Sequence, residues 1–206
     1  MQDFTEDLNE LKTYFSSCKS SSMIELPSDY QVLDLSKGPV DIAEGSYGIG
    51  KYAEHRPMQY TSAIYTNQRD FHIGLDLIAP VGTIVFAPWE MKILDKSYLS
   101  AEKDYGHCIL GQVIWPGRDL FILVGHLSKD ILKAPERGEI IERSQEFARV
   151  GNKMENGGWF PHIHVQFSFI KPDICDMPGV IRKEDYPFWK SQFPDPRIVL
   201  GNLYTE

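Results

Sequence analysis

Apolar side chains recur at Phe4, Leu8, Leu11 and Phe15 in an otherwise polar opening segment, the three-and-four spacing of one helix face. Thr5, Glu6 and Asp7 offer a cap and an acidic first turn, so a helix is predicted over residues 4 to 17, packed on the main domain outside any groove. The polar run 16 to 22 reads as a linker. Residues 36 to 57, punctuated by Gly38, Pro39, Gly45, Gly48, Gly50 and Pro57, read as irregular structure. From about Phe71 the pattern changes to short β-type runs bounded by Pro and Gly. Candidate strands cover 82–87, 91–94, 108–115, 120–125 and 163–169, with Pro116-Gly117 as a hairpin turn between two of them. Strands in succession, without alternating helical periods, predict a mainly β fold: an antiparallel sheet, sandwich or barrel-like, with short helical extensions at both ends. The expected layout is an N-terminal extension (1–60), a β domain (61–172) and a C-terminal extension (173–206) packed on it. In that last part Tyr186, Phe188 and Trp189 suggest a short helix, and Pro194-Asp195-Pro196 ends it.

Composition narrows the function classes. At 206 residues and 42% hydrophobic, the chain has an ordinary globular make-up and room for one sizeable core. A formal net charge of -8 argues against nucleic acid or an anionic membrane surface as partner. Cys18, Cys108 and Cys175 form no close pair in sequence, which fits a reducing compartment better than a disulfide framework. No apolar run approaches the roughly 20 residues of a membrane span, and the acidic start lacks the features of a secretory signal. A soluble, cytoplasmic chain is expected; nothing in the sequence sets its oligomeric state.

Three segments carry candidate chemistry. In Pro161-His162-Ile163-His164-Val165-Gln166-Phe167, a strand period of two puts His162, His164 and Gln166 on one face and Ile163, Val165 and Phe167 on the other. The pair fits a solvated face, two ligands of one metal, or one ligand beside a group that works on substrate. In Phe71-His72-Ile73-Gly74-Leu75-Asp76-Leu77 the same alternation leaves His72, Gly74 and Asp76 together. A straight strand would hold residues 72 and 76 about 13 Å apart, too far to share an ion, but Gly74 permits a bend. The third segment, Gly125-His126-Leu127-Ser128, follows the apolar run 120–124; a histidine there also fits a simple turn cap. Taken together, His72, Asp76 and His164 make a two-imidazole, one-carboxylate zinc set with a fourth position open to water, the pattern of a catalytic site. His126 and His162 then stand beside the open position, one to accept a proton and the other to stabilise an oxyanion. His55 and His107 fall outside this set, and Trp159 fits either a groove wall or plain packing.

The order HxGxD, GHLS, HxH resembles the lysostaphin-type zinc metallopeptidases, the murein or glycyl-glycine endopeptidase family. The resemblance spans about Phe71 to Phe169 and is supported by Ala79-Pro80-Val81-Gly82-Thr83, Val85-Phe86-Ala87-Pro88 and Val150-Gly151. It implies an antiparallel β fold crossed by a groove, zinc on His72, Asp76 and His164, and catalytic assistance from His126 and His162. The implied activity is metallo-endopeptidase or amidase hydrolysis of a peptide of peptidoglycan or Gly-containing type. Asn156-Gly157-Gly158-Trp159, ahead of the last motif, departs from the family's usual "TGPHLHFE" and looks more like an intracellular subgroup than a secreted cell-wall lysin. Two alternatives stand beside the enzyme: an inactive metal- or peptide-binding regulatory module, and an intracellular zinc hydrolase of another amide.

Overall fold

A computed structural model describes residues 3–65 and 69–205. Helix α1 (Thr5–Ser17) has the predicted place: Leu11 and Phe15 are buried, Phe4 stacks on Phe169 with ring centroids 5.6 Å apart, and Phe15 meets Trp89 edge-on at 5.2 Å. The helix thus completes the main core rather than covering a groove. The strands are β1 (Gln31–Leu33), β2 (Gly48–Gly50), β3 (Glu54–His55), β4 (Phe71–His72), β5 (Leu75–Ile78), β6 (Ile84–Phe86), β7 (Met91–Leu99), β8 (Gly106–Val113), β9 (Leu120–Leu127), β10 (Ile140–Ile141), β11 (Glu146–Arg149), β12 (His162–Ser168) and β13 (Val180–Ile181). Helices α2 (Tyr186–Trp189) and α3 (Arg197–Leu200) flank the Pro194-Asp195-Pro196 break.

Eight strands form one open sheet in the order β1-β2-β5-β12-β9-β8-β7-β10, antiparallel except for the β1/β2 pair. Two smaller sheets, β11-β6 and β13-β4-β3, accompany it, and none of them closes into a barrel. Segment 36–57, expected to be irregular, contributes the short strands β2 and β3. Its glycines suit close pairing: a Cβ at Gly48 would stand 3.0 Å from the Gln31 carbonyl of β1.

Burial of the sheet explains why β9 lacks alternation. Leu120, Ile122 and Val124 face the main core, while Phe121 and Leu123 face a second apolar cluster with Phe71, Ile73 and Cys108. A strand covered on both sides needs no polar face. Further along, β5 and β12 send Leu75, Leu77, Ile163, Val165 and Phe167 into the same main core. Their opposite face carries Asp76, His162, His164 and Gln166, so the apolar second layer gives way to polar chemistry there. In that second cluster Cys108 and Cys175 lie with sulfurs 3.5 Å apart as free thiols, a proximity their spacing of 67 residues conceals.

Candidate active site

Cross-strand register brings the first two residues together. Asp76 on β5 lies directly opposite His164 on β12, and His164 lies opposite Gly125 on β9, next to His126. His72 reaches the same point from the small β13-β4-β3 sheet, because the chain breaks its strand at Ile73-Gly74 and passes from one sheet to the other. The break is the expected bend, but the glycine acts through space and not through a special φ. A Cβ at Gly74 would lie 2.1 Å from Cε1 and 2.3 Å from Nε2 of His164, so only a residue without a side chain leaves room for that ring.

The three donor atoms form a near-equilateral triangle. His72 Nε2 is 3.1 Å from His164 Nδ1, and each is 3.2 Å from Asp76 Oδ1. Outer partners assign the tautomers. His72 Nδ1 donates to the Lys51 carbonyl at 3.0 Å, which leaves Nε2 as its lone-pair nitrogen. Gln166 donates its amide to the Pro178 carbonyl, so its Oε1 faces His164 Nε2 at 3.1 Å and accepts from it, leaving Nδ1 with the lone pair. Two lone pairs and a carboxylate oxygen therefore converge with no proton among them. Such a cluster is repulsive unless a cation sits against it. Tetrahedral zinc ligands at bond lengths of about 2.0–2.1 Å stand roughly 3.3–3.4 Å apart, close to the spacing seen here. The site fits a zinc ion, and these three residues could hold one.

Electrostatics favour the ligand-ready state. Burial lowers His72 from 6.5 to about 4, helped by the Arg56 charge. Burial would raise Asp76, but the Arg56 guanidinium 2.6 Å from its Oδ2 outweighs it and holds the carboxylate well below its usual range. A neutral imidazole pair and an ionised carboxylate are the forms a metal binds.

His126 and His162 stand beside the triangle with ring centroids 4.3 Å apart. His126 Nδ1 donates to the Asn156 carbonyl at 2.9 Å, and His162 Nδ1 to the Phe160 carbonyl at 2.6 Å, so Nε2 is the lone-pair nitrogen of each. His162 Nε2 lies 3.8 Å from Asp76 Oδ1. Burial, with repulsion from His162 and His164, puts His126 well below the usual histidine range. Burial also lowers His162, against the opposing pull of Asp76. Both rings are set as neutral proton acceptors. His126 also sits at φ 64, a left-handed conformation uncommon outside glycine, at the end of β9.

The five residues line a cleft of about 770 Å³ whose walls include Tyr60, Tyr65, Trp159 and Tyr105. Trp159 is a wall residue: its ring lies 6.3 Å from that of His126, with Lys103 Nζ 4.5 Å from its centroid. Asn156 organises the departing loop. Its Oδ1 accepts from the backbone N–H groups of Gly158 and Trp159, and its carbonyl holds His126. The two remaining histidines lie apart: His55 pairs with Asp70 at 2.9 Å, and His107 stacks on Tyr98 at 4.3 Å. Sequence reading missed Arg56, Asn156 and the bracing role of Gln166. Gln166 shares the period-two face with His164 and was legible as a neighbour; Arg56, twenty residues before Asp76, carried no signal.

No protein-family model matches the chain, and no curated protein matches it. Among solved structures, it is similar to a catalytic-domain mutant of the prophage-encoded M23 protein EnpA from Enterococcus faecalis, with TM-score 0.46 and 19% identity over 72% of this chain and 95% of that one. The catalytic domain of the antimicrobial peptidase lysostaphin from Staphylococcus simulans gives TM-score 0.46 and 18% identity over 70% and 92%. A zinc-containing peptidase from Vibrio cholerae gives TM-score 0.45 and 16% identity over 75% of this chain and 40% of that one, so the chain spans two fifths of its length. The structural neighbours of this chain are M23 and lysostaphin-type peptidase catalytic domains, the family its motifs resemble.

Proposed function

We propose that the protein is a zinc-dependent hydrolase of peptide or related amide bonds, with His72, Asp76 and His164 as ligands and His126 and His162 as catalytic residues. The observation that carries this reading is the proton-free triangle of Nε2, Nδ1 and Oδ1 at 3.1–3.2 Å, with two further neutral imidazoles at its side. A zinc ion held there would supply the Lewis acid that polarises the scissile carbonyl and activates water. The rest falls to the chain. His126 and His162 each offer a lone pair at Nε2, so whichever meets the attacking water takes its proton, and the resulting imidazolium gives that proton to the leaving amine. The other ring stabilises an oxyanion only once it is itself protonated, because its Nδ1–H is committed to a backbone carbonyl. The cleft's aromatic walls suit an extended peptide laid across the sheet.

The inactive-module alternative leaves one fact without a cause, namely that both non-ligand histidines, His126 buried and His162 half-buried, have their tautomers fixed as bases. A peptide-cleavage screen that includes Gly-containing and peptidoglycan-derived peptides, run with and without a zinc chelator, tests the reading. Cleavage that the chelator abolishes and zinc restores is expected. Stoichiometric zinc without cleavage of any peptide or amide would favour the binding module.

A further inference from the structure

Asp76 joins two systems. Its Oδ1 belongs to the ligand triangle, while its Oδ2 accepts from Arg56 Nη1 at 2.6 Å. The same guanidinium donates from Nε to Glu54 Oε2 at 2.9 Å and from Nη2 to the Lys51 carbonyl at 3.1 Å, and its Nη1 also reaches the Tyr60 hydroxyl at 3.3 Å. The Lys51 carbonyl is the one that accepts from His72 Nδ1. Arg56 and Glu54 are both buried, at 3% and 6% exposure. Strand β2 makes way for this contact: a Cβ at Gly50 would lie 2.8 Å from both Arg56 Nη2 and Asp76 Oδ2.

We propose that Arg56 is a positioning residue for the metal, which presents Asp76 to the ion through Oδ1 alone and fixes the carbonyl that orients His72. The proposal rests on reading His72, Asp76 and His164 as zinc ligands. A carboxylate with both oxygens free can turn to bind a cation through both, and so fill the position that substrate and water need. A guanidinium at 2.6 Å on Oδ2 removes that option, and its rigid fork serves Asp76, Glu54 and Lys51 at once. Glu54 offsets the added positive charge, so the negative charge of Asp76 remains available to the ion. A lysine, with one point-like ammonium, cannot span these partners. The rival account is that Arg56 merely neutralises two buried carboxylates and so maintains the fold.

Two variants separate these accounts: R56K, which keeps the charge and loses the fork, and the double variant R56M/E54Q, which removes both charges of the pair. Zinc affinity is read by chelator competition, and the coordination of Co(II) bound in place of zinc by its visible spectrum, with melting in EDTA as the check on folding. For either variant that folds, zinc affinity should fall about 10–100-fold, the usual cost of losing a partner behind a ligand. The Co(II) bands should also lose intensity as Asp76 turns to bind through both oxygens. Wild-type affinity with a wild-type Co(II) spectrum in R56K or the double variant would overturn the role of Arg56 alone. A wild-type chain that takes up no zinc, or one in which H164A still binds it fully, would overturn the ligand reading and this proposal with it.

Discussion

Replacing Gly74 by alanine adds one methyl group, and the structure sets what it does. The new Cβ would lie 2.1 Å from His164 Cε1, 2.3 Å from Nε2 and 2.9 Å from Nδ1. Restoring an ordinary contact of about 3.4 Å requires the ring to retreat by about 1.3 Å. Metal–ligand distances tolerate only about 0.2 Å. The ring is also held by Gln166 at 3.1 Å and faces Tyr105 with centroids 5.2 Å apart, so it leaves the triangle rather than adjusting within it. G74A should therefore behave as the loss of a ligand, with zinc affinity down at least about 100-fold, more than the usual cost of a partner behind the ligand. The metal-free protein should lose only about 1–3 kcal/mol, the range for overpacking one methyl group. Chelator-competition titration measures the first quantity and urea unfolding in EDTA the second. G45A is the matched control: its φ of 85 carries backbone strain, but nothing lies within 4 Å of its Cβ. Zinc affinity of G74A within about threefold of wild type would refute the claim that this glycine exists to seat His164.

Further outcomes follow from the same geometry. H126A and H162A should retain zinc yet lose turnover by on the order of 10²-fold or more, read as kcat/KM on any cleaved peptide; metal loss in H162A with retention in H164A would mean the two roles are exchanged. In EDTA, stability should fall as pH drops from about 6.5 to about 4. The unfolded chain protonates His72 across that window while the folded chain does not, a difference worth about 3 kcal/mol for this residue alone; denaturation midpoints flat across it would contradict the burial of a neutral imidazole. F4A removes a ring stacked on Phe169 and buried in the main core, so it should cost about 3–5 kcal/mol with zinc affinity of the folded protein unchanged; raised peptidase activity without loss of stability would instead mark α1 as a lid.

The legible and illegible parts of this molecule differ for physical reasons. Strand period alone predicted that His162, His164 and Gln166 share a face and that Ile163, Val165 and Phe167 enter the core, because alternation is local geometry. The bend at Gly74 was also predictable, since residues 72 and 76 cannot otherwise meet; its cause was not, because the obstacle is the ring of a residue ninety positions away. Register between β5 and β12, which sets Asp76 opposite His164, is a long-range property that no local pattern encodes. The same holds for Arg56. It lies in a glycine-punctuated stretch read as irregular, where strands of two and three residues form only because the main sheet and β4 are there to pair with them. Asn156 looked like part of an unusual turn; its carbonyl matters because the fold returns that turn to His126.

The central claim is that His72, Asp76 and His164 bind one zinc ion while the neighbouring histidines do not. Elemental analysis of the purified protein, its H164A variant and its H126A variant tests it directly. One zinc per chain is expected in wild type and in H126A, and none in H164A. Stoichiometric zinc in H164A, or persisting when all three ligands are changed to alanine, would contradict the assignment.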